Sequence, residues 1–206
     1  MTMAPWLRKL VLAVHLTFSV GWIGAVVAYL ALVFAAMGSQ EAQTVRAAWI
    51  GMELTIRYVI VPLALLSLLT GLVMALGTKW GLFKHYWVLI SLVLTLFSIV
   101  ILLNHVPSVG FSAAAAAVAG DPEAGDPGGG QLHAGRQGDP QHLAQGNDPS
   151  RALGSELLHA GGGLLILLVV QVLNVFKPRG LTPYGWRKEQ EERRTRLEQP
   201  AAEAAG

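Results

Sequence analysis

The run Leu10–Met37, 28 residues without a single Asp, Glu, Lys or Arg, constrains the fold more than any other part of the chain. Roughly 20 apolar residues in a helix cross the hydrocarbon core of a bilayer, so this run can span it with some tilt. A cleaved signal peptide has a shorter apolar core, of about 7–15 residues. The run therefore predicts a retained transmembrane helix.

Composition extends this prediction to the rest of the chain. Only 14% of the 206 residues are charged, whereas a typical soluble domain has about 25%. Three further apolar runs are long enough to cross a bilayer. We therefore predict an all-α fold, a four-span transmembrane helical bundle within residues 6–186, with spans at about 10–37, 56–76, 85–105 and 156–176.

The segment 108–155, between the third and fourth predicted spans, has a different character. It is rich in Gly, Pro, Ala, Asp and Gln, and such a composition buries too little apolar surface to fold. We predict a long disordered extracytoplasmic loop here, with at most a short helix at 113–119. Residues 187–206 are predicted to form a charged cytoplasmic tail.

The distribution of basic residues predicts the orientation. With four spans, eleven Lys and Arg residues fall on the side of the two termini and four fall on the other side. Cytoplasmic segments carry the excess of Lys and Arg, so we expect a multi-pass plasma-membrane protein with both termini in the cytoplasm. This topology accounts for the basic tail, and no nucleic-acid motif appears.

The first predicted span has two unlike faces on an ideal helix. One face carries His15 with Ser19, Trp22, Val26 and Tyr29. The roughly opposite face is formed by small residues, which suit close helix packing. We therefore expect a homodimer or a membrane partner to dock there, through Gly21, Gly24 and Ala28.

Polar residues also form a stripe along one face of the third span. Its members are Lys84, Ser91, Thr95, Ser98 and His105. This stripe predicts a face that points into the bundle, although hydroxyl groups also simply join helices in membranes.

Histidines supply the candidate chemistry. Ionisable residues inside a membrane are functional candidates, and the chain has no Cys to ligate a metal. His105 and His159 are predicted at similar depth on two helices, as ligands of a b-type haem are. Gly162 and Gly163 leave a gap beside His159 for a porphyrin face. We predict these residues as a haem b site, with the two histidines as iron ligands and His15 as a further cofactor-binding candidate.

Other functions fit the same pattern. Histidine beside a hydroxyl stripe also serves proton or quinone chemistry. Copper is less favoured, because no Met lies near a His at ligand spacing. Each His can also simply bond to a neighbouring helix in a non-catalytic assembly partner or a small transporter subunit. No catalytic residue or reaction is assigned, so whether the protein is an enzyme is left open.

Four stretches, HLTFSVGWIGAVVAYLAL, HYWVLISLVLTL, HAGGGLL and KPRGLTPYG, resemble a family of small four-helix membrane proteins of actinobacteria, a domain of unknown function. The resemblance covers about residues 6–107 and 155–186 and implies the fold but no activity. More distantly, the first-span His followed by Trp and glycines is similar to copper-resistance CopD-like domains and to haem-binding HemJ-type protoporphyrinogen oxidases. That similarity implies a loose pairing of His15 with Lys84, and it favours His15 over His85.

Overall fold

The computed structural model describes residues 4–77, 82–119, 149–178 and 180–203. Four of its helices are long and apolar enough to cross a membrane, which confirms the predicted all-α, four-span bundle. These helices are α1 (Pro5–Gly38), α2 (Ala42–Gly77), α3 (Tyr86–Ala119) and α4 (Pro149–Phe176), and they are followed by α5 (Pro183–Glu203).

The helices on either side of the predicted disordered loop are longer than expected. Residues 108–119 continue α3 and residues 149–155 begin α4, so the prediction of disorder over 108–155 is wrong at both ends. The remainder of that loop, 120–148, lies outside the described residues. Helix α3 continues through Pro107 because Val109 and Ala113, beyond the proline, are buried in the hydrophobic core.

The core lies against the face of α1 that carries His15, Ser19, Trp22, Val26 and Tyr29. Trp22, Val26 and Tyr29 are all buried. Helix α1 packs against both α2 and α4, and α3 packs against the same two helices. Many other large apolar side chains, such as Val20 and Phe34, are exposed around the bundle. A helical bundle with this apolar outer surface is compatible with a multi-pass membrane protein.

Helix α2 contains a π-helical turn at Ile56–Ile60, directly before Pro62. The backbone N–H of Val61 donates to the Ile56 carbonyl, five residues earlier. Because Pro62 has no N–H to donate, the regular α-helical pattern is interrupted at this point. Glu53 and Arg57, four residues apart on the helix, form an ion pair at the start of this turn, at 3.3 Å.

The chain after α4 folds back onto the turn that precedes α3. The Thr182 hydroxyl donates to the Phe83 carbonyl at 2.5 Å, and the Thr182 N–H donates to the Lys84 carbonyl at 3.0 Å. A side chain on Gly185 would collide with that same Lys84 carbonyl. These contacts attach the start of α5 to the bundle and explain a threonine and a glycine in the KPRGLTPYG stretch.

Candidate functional site

Polar side chains gather around two partly open cavities between the helices. The tail-end cavity, at the end of the bundle where α1 begins and α4 ends, has a volume of about 480 Å³. The loop-end cavity, toward the end where α3 ends and α4 begins, has about 200 Å³. Ligand pockets usually measure about 300–1,000 Å³, so only the tail-end cavity is of that size. The buried side chains of Trp22 and Leu167 border both cavities.

The tail-end cavity is mostly apolar and is lined by all four membrane helices. Its charged lining residues are both cationic, Arg8 and Lys177, and its described lining contains no carboxylate. Each of the four membrane helices contributes uncharged polar residues to its lining. These residues are His15, Ser19, Ser67, Ser91, Thr95, Gln171 and Asn174. The cavity therefore combines an apolar wall, a set of hydrogen-bonding groups and positive charge.

His15 is held through one nitrogen of its ring. Its Nδ1 lies 3.1 Å from the Ser67 carbonyl oxygen, which can only accept, so Nδ1 carries the hydrogen in this contact. Nδ1 also lies 3.0 Å from the Thr70 hydroxyl, and that hydroxyl donates to the Leu66 carbonyl at 2.7 Å. In the neutral ring Nε2 is consequently the nitrogen with a lone pair, available to a metal or to a proton.

The wall of α2 beside His15 fixes the position of the ring. A Cβ on Gly71 would lie 3.0 Å from His15 Cε1, so glycine leaves the space that the imidazole occupies. Ser19 donates to the His15 carbonyl at 2.8 Å and lies 2.9 Å from the Ser67 hydroxyl. No sequence pattern predicted Ser67, Thr70 or Gly71 as site residues. Their spacing of three and four residues in an apolar run was the available signal.

The loop-end site contains a buried carboxylate, Glu156, that was likewise not predicted from the sequence. The Tyr29 hydroxyl donates to Glu156 Oε2 at 2.5 Å, and His105 Nε2 lies 2.6 Å from the same oxygen. Glu156 is 4% exposed. The three residues come from α1, α3 and α4, so this cluster joins three of the four membrane helices. A glutamate at the head of the fourth apolar run was its only sequence signal.

His105 and His159 do come together, as the sequence predicted, but not as ligands on two sides of a haem. Their rings stack face to face, with centroids 4.4 Å apart and an interplanar angle of 12°. Axial ligands point a ring nitrogen at the iron from opposite faces of the porphyrin, so a haem would have to separate these rings. His105 Nε2, moreover, is engaged by Glu156. Haem ligation by this pair does not fit the structure.

The remaining site candidates lie as follows. Gly162 and Gly163 line the loop-end cavity, and a Cβ at either would meet nothing within 4 Å, so the space beside them does not depend on glycine. Lys84 forms an ion pair with Glu192 at 3.1 Å. His85 forms a backbone bridge with Leu181. Neither Lys84 nor His85 lines either cavity, so the structure does not pair Lys84 with His15.

The polar stripe of α3 faces the bundle interior as predicted, except for Lys84. Ser91 and Thr95 line the tail-end cavity, while Ser98 and His105 line the loop-end cavity. Ser91 and Ser98 are buried, and their hydroxyl oxygens have no hydrogen-bond partner among the described residues. Two buried hydroxyl groups are thus available to a ligand or to water in these cavities.

The residues of the predicted small-residue face of α1 have different surroundings in the structure. A Cβ on Gly21 would lie 3.6 Å from the Leu63 side chain, so Gly21 belongs to the packing of α1 on α2. Gly24 and Ala28 are exposed, and a Cβ on Gly24 would meet nothing within 4 Å. Docking of a second copy through these two residues stays a prediction.

A metal centre held by several side chains finds no support in the described parts of the chain, where no group of three or more His, Cys, Asp or Glu comes together. A haem needs only one or two axial ligands from the protein. Comparison with known proteins adds no assignment, since no family model, curated protein or solved structure matches the chain.

Proposed function

We propose that the protein is a haem b-binding, redox-associated membrane protein, with the haem in the tail-end cavity and His15 as its axial ligand. The observation that carries this proposal is the hydrogen bond from His15 Nδ1 to the Ser67 carbonyl, beside a cavity of about 480 Å³. Ligating histidines nearly always donate their second ring N–H to a carbonyl or carboxylate, which orients the ring and raises its basicity. His15 has this arrangement.

The other walls of the cavity suit the same group. A haem has an apolar macrocycle with two anionic propionates, and the cavity has apolar walls with Arg8 and Lys177 as its charged lining residues. Met74 also lines it, and its thioether could help to hold the iron, since His and Met together bind haem in cytochromes. When bound, the haem would supply one-electron redox chemistry.

We further propose that the protein lies in the plasma membrane with both termini in the cytoplasm, as the excess of Lys and Arg on that side favours. The tail-end cavity would then lie in the cytoplasmic half of the bilayer. An enzyme reporter that works only in the cytoplasm, fused after Gly206, should be active. Activity of a periplasmic reporter at the same position would contradict this orientation.

Absorption spectroscopy tests the haem proposal. Protein purified in mild detergent from haem-replete cells should show a Soret band, with about one haem per chain by pyridine haemochrome assay. His15→Ala should lose the band, because it loses the iron ligand. His159→Ala should keep it, because the rings at the loop end lie outside the tail-end cavity.

The possible results of this spectroscopic test support different functions. A colourless wild-type protein that also fails to take up added hemin contradicts the haem proposal and favours a non-catalytic assembly partner or transporter subunit. A band that is lost in His159→Ala but kept in His15→Ala contradicts the placement of the haem. Circular dichroism and gel filtration of each variant show that the fold is retained.

A further inference from the structure

The loop-end cluster places an ionisable carboxyl group inside the helical bundle without using it in the tail-end site. Glu156 is 4% exposed and lies in α4, one of the helices long and apolar enough to cross a membrane. A buried carboxylate is costly unless it is paired and hydrogen-bonded. Intramembrane carboxylates and histidines are typical of proton relays in pumps and transporters. The hydrogen-bond partners of Glu156 therefore indicate whether this cluster can bind a proton.

The hydrogen-bond partners account for the position of each hydrogen around His105. Glu156 Oε2 accepts from the Tyr29 hydroxyl at 2.5 Å and receives His105 Nε2 at 2.6 Å. The Ser108 hydroxyl donates to the His105 carbonyl at 2.7 Å, so toward His105 Nδ1, at 3.3 Å, its oxygen is the acceptor. Both ring nitrogens thus face acceptors, and only an imidazolium donates from both.

Among the described residues that face this cluster, the charges balance when the cluster holds one proton. On α2, Glu53 and Arg57 neutralise each other at 3.3 Å, and both lie against Gly110 of α3. On α1 the titratable neighbour is the Tyr29 phenol. A neutral His105 beside an ionised Glu156 would leave one net negative charge buried, whereas an imidazolium beside the carboxylate leaves none.

On α4, His159 provides the face of the cluster that is open to its surroundings, and Arg151 precedes Glu156 by five residues. His159 Nδ1 donates to the Ser155 carbonyl at 2.8 Å, so the neutral ring has its lone pair on Nε2. This exposed ring stacks on His105. A neutral aromatic ring over an imidazolium is a favourable contact, of the cation–π type.

We propose that His105 and Glu156 form a reversible proton-binding site, which exchanges its proton at the loop end of the bundle. Binding adds one proton to the imidazole of His105 and gives an imidazolium paired with the Glu156 carboxylate. Release returns the proton to water and leaves the neutral imidazole. The loop-end cavity of about 200 Å³ is lined by His105, His159 and the unpartnered Ser98 hydroxyl, which are polar partners of the kind that internal water requires.

Nitrogen-15 NMR of histidine-labelled protein in lipid bilayers tests this site, because imidazolium and the two neutral tautomers give distinct signals. His105→Gln identifies the signals of His105. At neutral pH both nitrogens of His105 should carry hydrogen in the wild type, and alkaline pH should convert the ring reversibly to a neutral form. A ring that is neutral at neutral pH, or one that never changes state, overturns the proposal.

Variants of the carboxylate complete the test. Glu156→Gln removes the counter-charge, so His105 should be a neutral imidazole at neutral pH, whereas Glu156→Asp should restore the imidazolium. Glu53→Gln is the matched control, since its carboxylate pairs with Arg57, and it should leave His105 unchanged. An unchanged His105 in Glu156→Gln contradicts the proposal. If that variant does not fold, the wild-type and Glu156→Asp spectra still decide.

Discussion

His15 at the tail end and His105 at the loop end both lie on helices that are apolar enough to cross a membrane. Their ring nitrogens, however, contact different kinds of groups. His15 donates from Nδ1 to α2, and the residue lines the larger cavity. His105 places Nε2 against Glu156, and Ser108 lies near its Nδ1. The first arrangement suits the proposed haem ligand, and the second suits the proposed charge pair. The groups that the ring nitrogens contact, more than the depth of each histidine in the bundle, separate the two roles.

The largest difference between the two centres should appear in stability. Glu156→Ala leaves His105 and Tyr29 without their buried partner, and breaking such a pair costs about 3–5 kcal/mol. Ser67→Ala, at the tail end, removes a hydroxyl hydrogen bond and should cost about 0.5–1.5 kcal/mol. Unfolding in denaturing detergent, followed by circular dichroism, measures both. Equal losses would show that the loop-end cluster is not a charge pair.

A smaller effect is expected from Gly71→Ala, which should weaken hemin binding. The added methyl would lie 3.0 Å from His15 Cε1, so the ring must move. Disturbing the groups that orient a metal ligand typically costs 10- to 100-fold in affinity. Gly24→Ala is the matched control, since a Cβ there meets nothing within 4 Å. Hemin titration with unchanged affinity in Gly71→Ala would contradict the role given to His15.

The smallest effect is expected from Thr70→Val. It removes one of the two acceptors of the His15 Nδ1 hydrogen while the Ser67 carbonyl remains. Hemin affinity should fall by the equivalent of about 1 kcal/mol, the net contribution of one hydrogen bond. Thr17→Val, whose exposed hydroxyl bonds only to the Ala13 carbonyl of its own helix, should have no effect. Equal behaviour of the two variants would show that the Thr70 contact does not matter.

The pattern of apolar residues along the sequence predicted the features that depend on single helices. The four spans follow from the length of the apolar runs, and the structure confirms them. The extension of α3 past Pro107 was missed because Val109 and Ala113 belong to a segment whose composition resembles a disordered loop. Their burial depends on α2, which the local sequence does not show.

The site was harder to predict because its side chains contact partners that lie on other helices. His105 and His159 were correctly expected to come together. Their geometry is set by Glu156, which is 51 residues away from His105 along the chain. In the same way, the tautomer of His15 depends on Ser67 and Thr70 of α2. The rotation of each helix about its axis decides these contacts, and apolar patterning fixes that rotation only coarsely.

Chemical rescue with imidazole tests the central claim most directly, because it asks whether His15 itself binds the iron. Purified His15→Gly should show no Soret band with hemin, and added imidazole should restore a saturable band, since it can enter the space left beside Gly71. His159→Gly should show the wild-type band without imidazole. A wild-type band in His15→Gly without imidazole, or its loss in His159→Gly, would contradict a haem held by His15.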